Sequence, residues 1–136
     1  MRYLCDTTFL IDLVSGDEGA AAKARELDEV ASLVAISVIT VHEYLRGIYY
    51  LYWDRKELRN KLREAREDLR RFEIIPFDEE IAEVAAEIDA KLVRSGTPIG
   101  YPDVVIAATA LSRDLTLVTR NIRHFSLVQG LRVEPY

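Results

Sequence analysis

Five short runs of β-forming residues alternate with longer segments of helical periodicity along this chain of 136 residues. The β-type runs are residues 2–6, 33–38, 73–76, 116–119 and 132–134. Strands that alternate with helices favour parallel pairing, because a crossover between parallel strands needs a connection about as long as a helix. The pattern therefore predicts a three-layer α/β/α sandwich around a central, mainly parallel sheet of about five strands. The length fits one domain over residues 1–136.

The longest helical pattern covers residues 40–72. Its apolar residues recur at helical spacing and are Val41, Leu45, Ile48, Tyr52, Leu58, Leu62, Ala65, Leu69 and Phe72. This periodicity predicts either one long helix or a helical hairpin. Residues 15–17 are predicted to form a turn with a cap before the helix over residues 20–31. Asp78 is predicted to cap the helix that Gly96 ends, and Pro102 is predicted to lie in the first turn of the helix after it.

Composition limits the class of protein. Apolar residues make up 49% of the chain, yet no run approaches the roughly 18 consecutive apolar residues of a membrane span. The single cysteine, Cys5, lies in an apolar strand-like run and is predicted to be a buried thiol. We expect a cytoplasmic protein that does not contact membranes. The net charge of −5 argues against nucleic-acid binding over the whole surface, but a nuclease needs only local cations.

Three acids stand beside apolar runs that would fix their positions. Asp6 ends the first strand-like run, Glu43 follows the second, and Asp103 opens a helix. In parallel sheets the ligand crevice lies beyond the carboxyl ends of the strands, so the pattern predicts that these carboxylates share one rim. A rigid group of carboxylates is a site for a hard divalent cation. Taken singly, each acid could instead be a helix cap or a solvated first-turn charge.

Four segments in a fixed order resemble a known family. They are residues 4–12, 37–44, 96–108 and 117–125, and the resemblance extends to the closing residues 130–134. Together they are similar to PIN domains, and within that superfamily they most resemble the VapC toxins of type II toxin–antitoxin pairs. The resemblance implies a Mg²⁺-dependent endoribonuclease, with Mn²⁺ as a substitute, that hydrolyses RNA phosphodiesters. It also implies a homodimer and a small VapB-like antitoxin as partner.

The resemblance assigns roles to individual residues. Asp6, Glu43 and Asp103 match the family's acidic positions and are the predicted metal ligands and catalytic residues. Asp6 and Asp103 are expected to bind the ion directly, whereas Glu43 could act through water or orient the nucleophile. Asn121 matches a polar catalytic position. His124 stands where many relatives carry a fourth acid.

Other residues are candidates for RNA contact. Thr8 stands where many relatives carry Asn, and its hydroxyl could orient a carboxylate or a water. Arg46, Arg120 and Arg123 lie next to motif residues and are predicted to contact RNA phosphates. His124 could contact phosphate, bind metal weakly or be a polar residue at a loop edge.

Two further segments have open interpretations. Residues 54–71 mix basic and acidic side chains, which is typical of a solvated helix face. Residues 49–53 read Tyr-Tyr-Leu-Tyr-Trp and could form a dimer surface, an antitoxin surface or an intramolecular corner. Alternative functions for the whole chain are a PIN nuclease of RNA processing or DNA ends, and a catalytically lapsed PIN module that only binds a partner.

Overall fold

A five-stranded sheet, parallel throughout, runs through the centre of the molecule, which was obtained as a computed structural model describing residues 1–136. The strands are β1 (Arg2–Cys5), β2 (Leu33–Ser37), β3 (Glu73–Ile75), β4 (Thr116–Val118) and β5 (Val133–Glu134). Their spatial order is β3-β2-β1-β4-β5, so β1 lies in the middle. The predicted strands are confirmed, and each is one residue shorter than its β-type run.

Seven helices cover the sheet. They are α1 (Thr7–Val14), α2 (Glu18–Val30), α3 (Val38–Tyr52), α4 (Leu58–Leu69), α5 (Glu79–Arg94), α6 (Tyr101–Ser112) and α7 (Ile122–Phe125). No helix has the length and apolar composition that crossing a membrane requires.

The alternation of side chains along β1 divides the core into two layers. Leu4 packs with residues of α5, α6 and α7, whereas Tyr3 and Cys5 pack with residues of α1, α2 and α4. Successive residues of a strand point to opposite faces of the sheet, so β1 alone contributes to both cores. This arrangement is the predicted α/β/α sandwich, and it confirms that the Cys5 thiol is buried.

Residues 38–69 form a helical hairpin, which decides between the two predicted alternatives. The chain leaves the helical path after α3 and resumes it at Leu58. Ser37 caps α3 by accepting a hydrogen bond from the amide of Ile39 at 3.1 Å. On α4 the buried residues Leu62, Ala65 and Leu69 lie at helical spacing and face the core.

The predicted caps are present. Asp78 accepts a hydrogen bond from the amide of Ile81 at 2.9 Å, and Asp17 caps α2 through the amide of Ala20 at 2.9 Å. Gly96 follows α5 with φ of +73°, a conformation that glycine adopts without strain. These ends fix where the loops leave the sheet.

The order of the strands places a crevice beyond the carboxyl end of β1. From β1 the chain moves to β2 on one side, and β4 lies on the other side. A crevice forms where the strand order reverses in this way. Asp6 is the first residue after β1, and its amide donates to the carbonyl of Val118 at 3.1 Å, so its position is fixed by β4.

Candidate metal-dependent nuclease site

Asp6 is held at the rim by both of its carboxylate oxygens. Oδ1 accepts a hydrogen bond from the amide of Phe9 at 2.9 Å, and Oδ2 accepts one from the Thr119 hydroxyl at 2.5 Å. The side chain therefore caps α1, as the ordinary interpretation of this residue predicted. Asp6 is only 4% exposed. The same hydrogen bonds therefore also hold its carboxylate in place at the carboxyl end of the sheet.

The surroundings of Asp6 oppose its ionisation. Burial, together with the smaller effects of the negative charges of Asp103 and Asp12, raises the pKa of Asp6 to about 6, although the hydrogen bonds from Thr119 and Phe9 lower it. The interaction with Asp103 shows that the two predicted ligands lie within electrostatic reach of each other. A cation between them would remove this repulsion.

Glu43 is held by a threonine that the sequence analysis did not select. The Thr7 hydroxyl donates to Glu43 Oε1 at 2.6 Å and lies 2.9 Å from the hydroxyl oxygen of Thr40. Glu43 lies in the second turn of α3, one turn later than predicted, because Ser37 starts the helix at Val38. The available signal for Thr7 was its position directly after Asp6. Thr8, the predicted contact, is exposed.

We expect Thr7→Val to disturb Glu43 specifically. The substitution keeps the shape of the side chain and removes the hydroxyl that joins α1 to Glu43 and Thr40. Loss of a positioning hydrogen bond of this type lowers activity by about 10- to 100-fold, while the free energy of unfolding should fall by only about 1 kcal/mol. Metal-dependent cleavage rates and urea unfolding curves check both values. Thr116→Val, at the opposite end of β4 from the rim, is the matched control, and an equal loss of activity in it would contradict the assignment.

Asp103 is the third acid of the rim and lies in the first turn of α6. Burial raises the pKa of the Asp103 carboxyl, the charge of Glu43 raises it further, and His124 lowers it. Asp103 thus interacts with both of the other acids, through its effect on Asp6 and through the charge of Glu43. The predicted convergence of the three acids on one rim agrees with these interactions.

The chain after β4 brings Asn121 and His124 to the same rim. Nδ1 of His124 is 3.8 Å from Oδ2 of Asp103 and 2.9 Å from Nδ2 of Asn121. The backbone amide of Asn121 donates a hydrogen bond to the hydroxyl oxygen of Thr119 at 2.9 Å. Since Thr119 also donates to Asp6, this buried residue links the Asn121 loop to the first acid, although the sequence analysis did not select it.

The donor set fits a divalent cation that keeps part of its water. No group of three or more Asp, Glu, His or Cys side chains is close enough to hold one ion, so three direct protein ligands are not preformed. Like charges oppose such a close approach, and Thr7 restrains Glu43. Mg²⁺ is usually bound through one or two carboxylates together with waters and substrate phosphate. Asp6 and Asp103 remain the predicted direct ligands, with Glu43 acting through water.

The predicted phosphate contacts differ in their surroundings. Arg120 is bound within the protein: its guanidinium pairs with Asp17 at 2.8 Å and Asp12 at 3.3 Å and lies over the ring of Tyr136. Arg46 and Arg123 are exposed to solvent and make no such pairs. Arg120 instead links the residues after β4 to α1 through Asp12.

Comparison with known proteins identifies relatives of this chain. The family model for the PIN domain matches residues 3–131. Ribonuclease VapC1 of Methanocaldococcus jannaschii is 33% identical over 99% of this chain and 87% of that protein. The tRNA(fMet)-specific endonuclease VapC of Salmonella typhimurium is 41% identical over 66 residues, which span 48% of this chain and half of that protein's length.

A solved structure supports the same placement. The crystal structure of VapBC2 from Rickettsia felis, bound to a DNA fragment from the promoter, contains a chain that superposes with a TM-score of 0.84. The identity is 26%, and the superposition covers all of this chain and 99% of that chain. The fold is therefore shared over the full length of this chain.

Proposed function

We propose that this chain, which belongs to the PIN-domain family and to its VapC ribonucleases, is a Mg²⁺-dependent endoribonuclease that acts as the toxin of a toxin–antitoxin pair. The observation that carries the proposal is the position of Asp6, Glu43 and Asp103 at one rim of the sheet. Thr119 holds Asp6, Thr7 holds Glu43, and His124 lies 3.8 Å from Asp103. Relatives with similar sequences are named ribonucleases. The charged rim gives this activity a physical basis.

Each acid has a separate role in the proposed reaction. Asp6 and Asp103 hold the ion, because the charges of the buried Asp6 and the partly buried Asp103 repel each other. Glu43 orients the attacking water: only its Oε1 accepts a hydrogen bond from the protein, so Oε2 can accept one from water. Bound Mg²⁺ or Mn²⁺ supplies positive charge for the scissile phosphate and increases the acidity of the attacking water.

The residues around the acids position the RNA. Arg46 lies one turn after Glu43 on α3, and Arg123 lies on α7 beside the rim. Both exposed guanidiniums can pair with phosphate oxygens on either side of the cleaved bond. Asn121 orients the His124 ring through their 2.9 Å contact. Thr8 is a further candidate contact, since its side chain is exposed at the start of α1.

The proposed partners are a second copy of this chain and a small VapB-like antitoxin. Support comes from the solved complex of the Rickettsia felis relative, which is named as a VapBC pair bound to promoter DNA. An antitoxin that covers the acidic rim would prevent RNA from entering it. The compartment proposed for this pair is the cytoplasm, where RNA substrates and reduced Cys5 are both expected.

The test is cleavage of total cellular RNA by purified protein with Mg²⁺, with Mn²⁺ and with EDTA. We expect cleavage with either metal and none with EDTA. Asp103→Asn should be inactive with both metals, whereas Asp89→Asn, a change on the exposed face of α5, should cleave as wild type does. If the wild-type protein shows no metal-dependent cleavage, the alternative of a catalytically lapsed binding module is favoured.

His124 tests how many acids the site needs. The ring is half exposed, and its nearest acid is Asp103 at 3.8 Å. Two carboxylates and water can bind one Mg²⁺. We therefore expect the cleavage rate of His124→Ala to be less than about tenfold below that of wild type. His124→Asp should bind Mn²⁺ more tightly, which calorimetry can measure. A loss above about 100-fold in His124→Ala, with an unchanged circular dichroism spectrum, would make His124 a catalytic residue.

A further inference from the structure

One face of α3 carries exposed groups that lead away from the acidic rim. Glu43, Arg46, Tyr50 and Trp53 are separated by three, four and three residues. At about 100° per residue they fall within about 80° of arc, and the ten residues span about 15 Å. Tyr50 is 77% exposed and Trp53 is 69% exposed. We call Arg46, Tyr50 and Trp53 the aromatic track.

The aromatic rings of the track are not used by the core. The guanidinium of Arg46 lies 5.7 Å from the ring centroid of Tyr50, and Tyr49 supports Trp53 with ring centroids 6.0 Å apart. Tyr52, by contrast, is only partly exposed and lies under Lys61. The predicted intramolecular corner is therefore formed by Tyr52 and not by Tyr50 or Trp53, whose outer ring faces contact solvent.

Positive charge predominates in the stretch of chain that contains the aromatic track and the residues after it, although the whole chain is acidic. Residues 46–63 contain six cations and two acids, whereas the net charge of the chain is −5. The six cations are Arg46, Arg55, Lys56, Arg59, Lys61 and Arg63. Only Lys61 is in an ion pair, with Glu64 at 3.5 Å. The other five cations are not in ion pairs, although residues 54–71 mix basic and acidic side chains.

We infer that the aromatic track is a binding platform for single-stranded RNA, on which bases next to the cleaved bond stack. The inference rests on the proposed ribonuclease function and names the form of its substrate. Proteins that bind single strands combine aromatic rings for the bases with cations for the backbone. The segment from Glu43 to Trp53 is about 15 Å long, and a stacked nucleotide occupies about 3.4 Å. The track therefore has room for about four nucleotides, counted outward from the rim.

Trp53 provides a direct readout, because it is the only tryptophan of the chain. The probe is a 12-nucleotide single-stranded RNA of mixed sequence, titrated in EDTA so that it is not cleaved. We expect tryptophan emission to be quenched as a base stacks on the indole. The same RNA annealed to its complement should quench much less, because its bases are already stacked.

Variants separate stacking from general surface effects. Tyr50→Ala and Trp53→Ala should each weaken binding of the labelled RNA, measured by fluorescence anisotropy, by about 5- to 150-fold. Tyr50→Phe should bind as wild type does, because it keeps the ring. Leu51→Ala is the matched control: Leu51 is 67% exposed on the same helix but lies off the track, and its change should be less than about twofold.

The outcomes distinguish this inference from the proposed function. RNA binding that needs the track, together with no cleavage in Mg²⁺, would support the platform and reject the nuclease. Cleavage in Mg²⁺ with unquenched tryptophan and unchanged binding by both alanine variants would overturn the platform alone. A change of sedimentation mass or of antitoxin affinity in Trp53→Ala, with RNA binding unaltered, would assign the face to a protein partner and also overturn it.

Discussion

Asp6→Asn should abolish metal-dependent RNA cleavage and leave a protein that is more stable than wild type at pH 8. Removing a ligand charge is expected to lower the cleavage rate by more than about 100-fold, since even indirect supports of metal sites are worth about 10- to 100-fold. The amide keeps an oxygen to cap α1 through Phe9. Its nitrogen can donate to the Thr119 hydroxyl oxygen in place of the bond that the carboxylate accepted.

The gain in stability follows from the sign of the pKa shift. Burial raises the pKa of Asp6 from 3.8 to about 6 in the folded state, so the charged form destabilises the fold at every pH above 6. The difference corresponds to about 3 kcal/mol at most, of which the altered hydrogen bonds remove a part. We expect a net gain of about 1 to 2 kcal/mol at pH 8 in EDTA.

The pH dependence provides the internal check. As the pH falls from 6 towards 4, the wild-type carboxyl takes up a proton in the folded state and the advantage of Asp6→Asn disappears. Urea unfolding at pH 8 and pH 4 measures both values. Asp89→Asn, which is exposed on α5, should show no pH-dependent difference. A variant that is less stable than wild type at both pH values would refute the repulsive environment of Asp6.

Glu134→Ala should destabilise the fold without affecting the chemistry. The ammonium of Lys23 is buried, and its partners are Glu134 and Glu26, the latter at 2.9 Å. Glu26 is mostly exposed, so after the substitution the buried charge keeps only a solvated partner. Breaking a buried pair costs about 3 to 5 kcal/mol, and the remaining contact with Glu26 reduces the expected loss to about 2 kcal/mol.

A double variant isolates the buried charge. Lys23→Met with Glu134→Ala removes both partners and should regain stability to within about 1 kcal/mol of wild type. Glu134→Ala alone should lower the melting temperature by about 4 to 8 °C in a protein of this size. Glu26→Ala is the exposed control and should change it little. If the single and double variants have the same melting temperature, loss of the ion pair does not cause the destabilisation.

The sequence predicted the backbone framework because that framework follows from periodicity. The five strands and the caps at Asp17 and Asp78 depend on local patterns that a single segment contains. Asp6 could be assigned for the same reason, since the residue after the central strand must lie at the crevice. The start of α3 was placed too late, because Val38 was assigned to the strand, whereas the hydroxyl of Ser37 caps a helix that begins at Val38.

The contact partners of individual side chains could not be predicted from their neighbours in the sequence. Arg120 lies next to site residues in sequence, yet Asp12 and Asp17 bind its guanidinium from more than 100 residues away. Thr7 and Thr8 are chemically identical neighbours, and only the packing of α1 against α3 decides which hydroxyl meets Glu43. Such contacts depend on the relative rotation of two helices, which neither helix encodes by itself.

The hydrogen bond between Thr119 and Asp6 joins residues that are 113 positions apart. During synthesis β1 emerges from the ribosome long before β4, and domains fold as units once enough of their chain is available. A nascent chain that ends before Thr119 lacks the donor that holds Asp6 and the Asn121 loop that completes the rim. Because the first acid is oriented by residues at the end of β4, translation of nearly the whole chain has to precede assembly of the acidic rim.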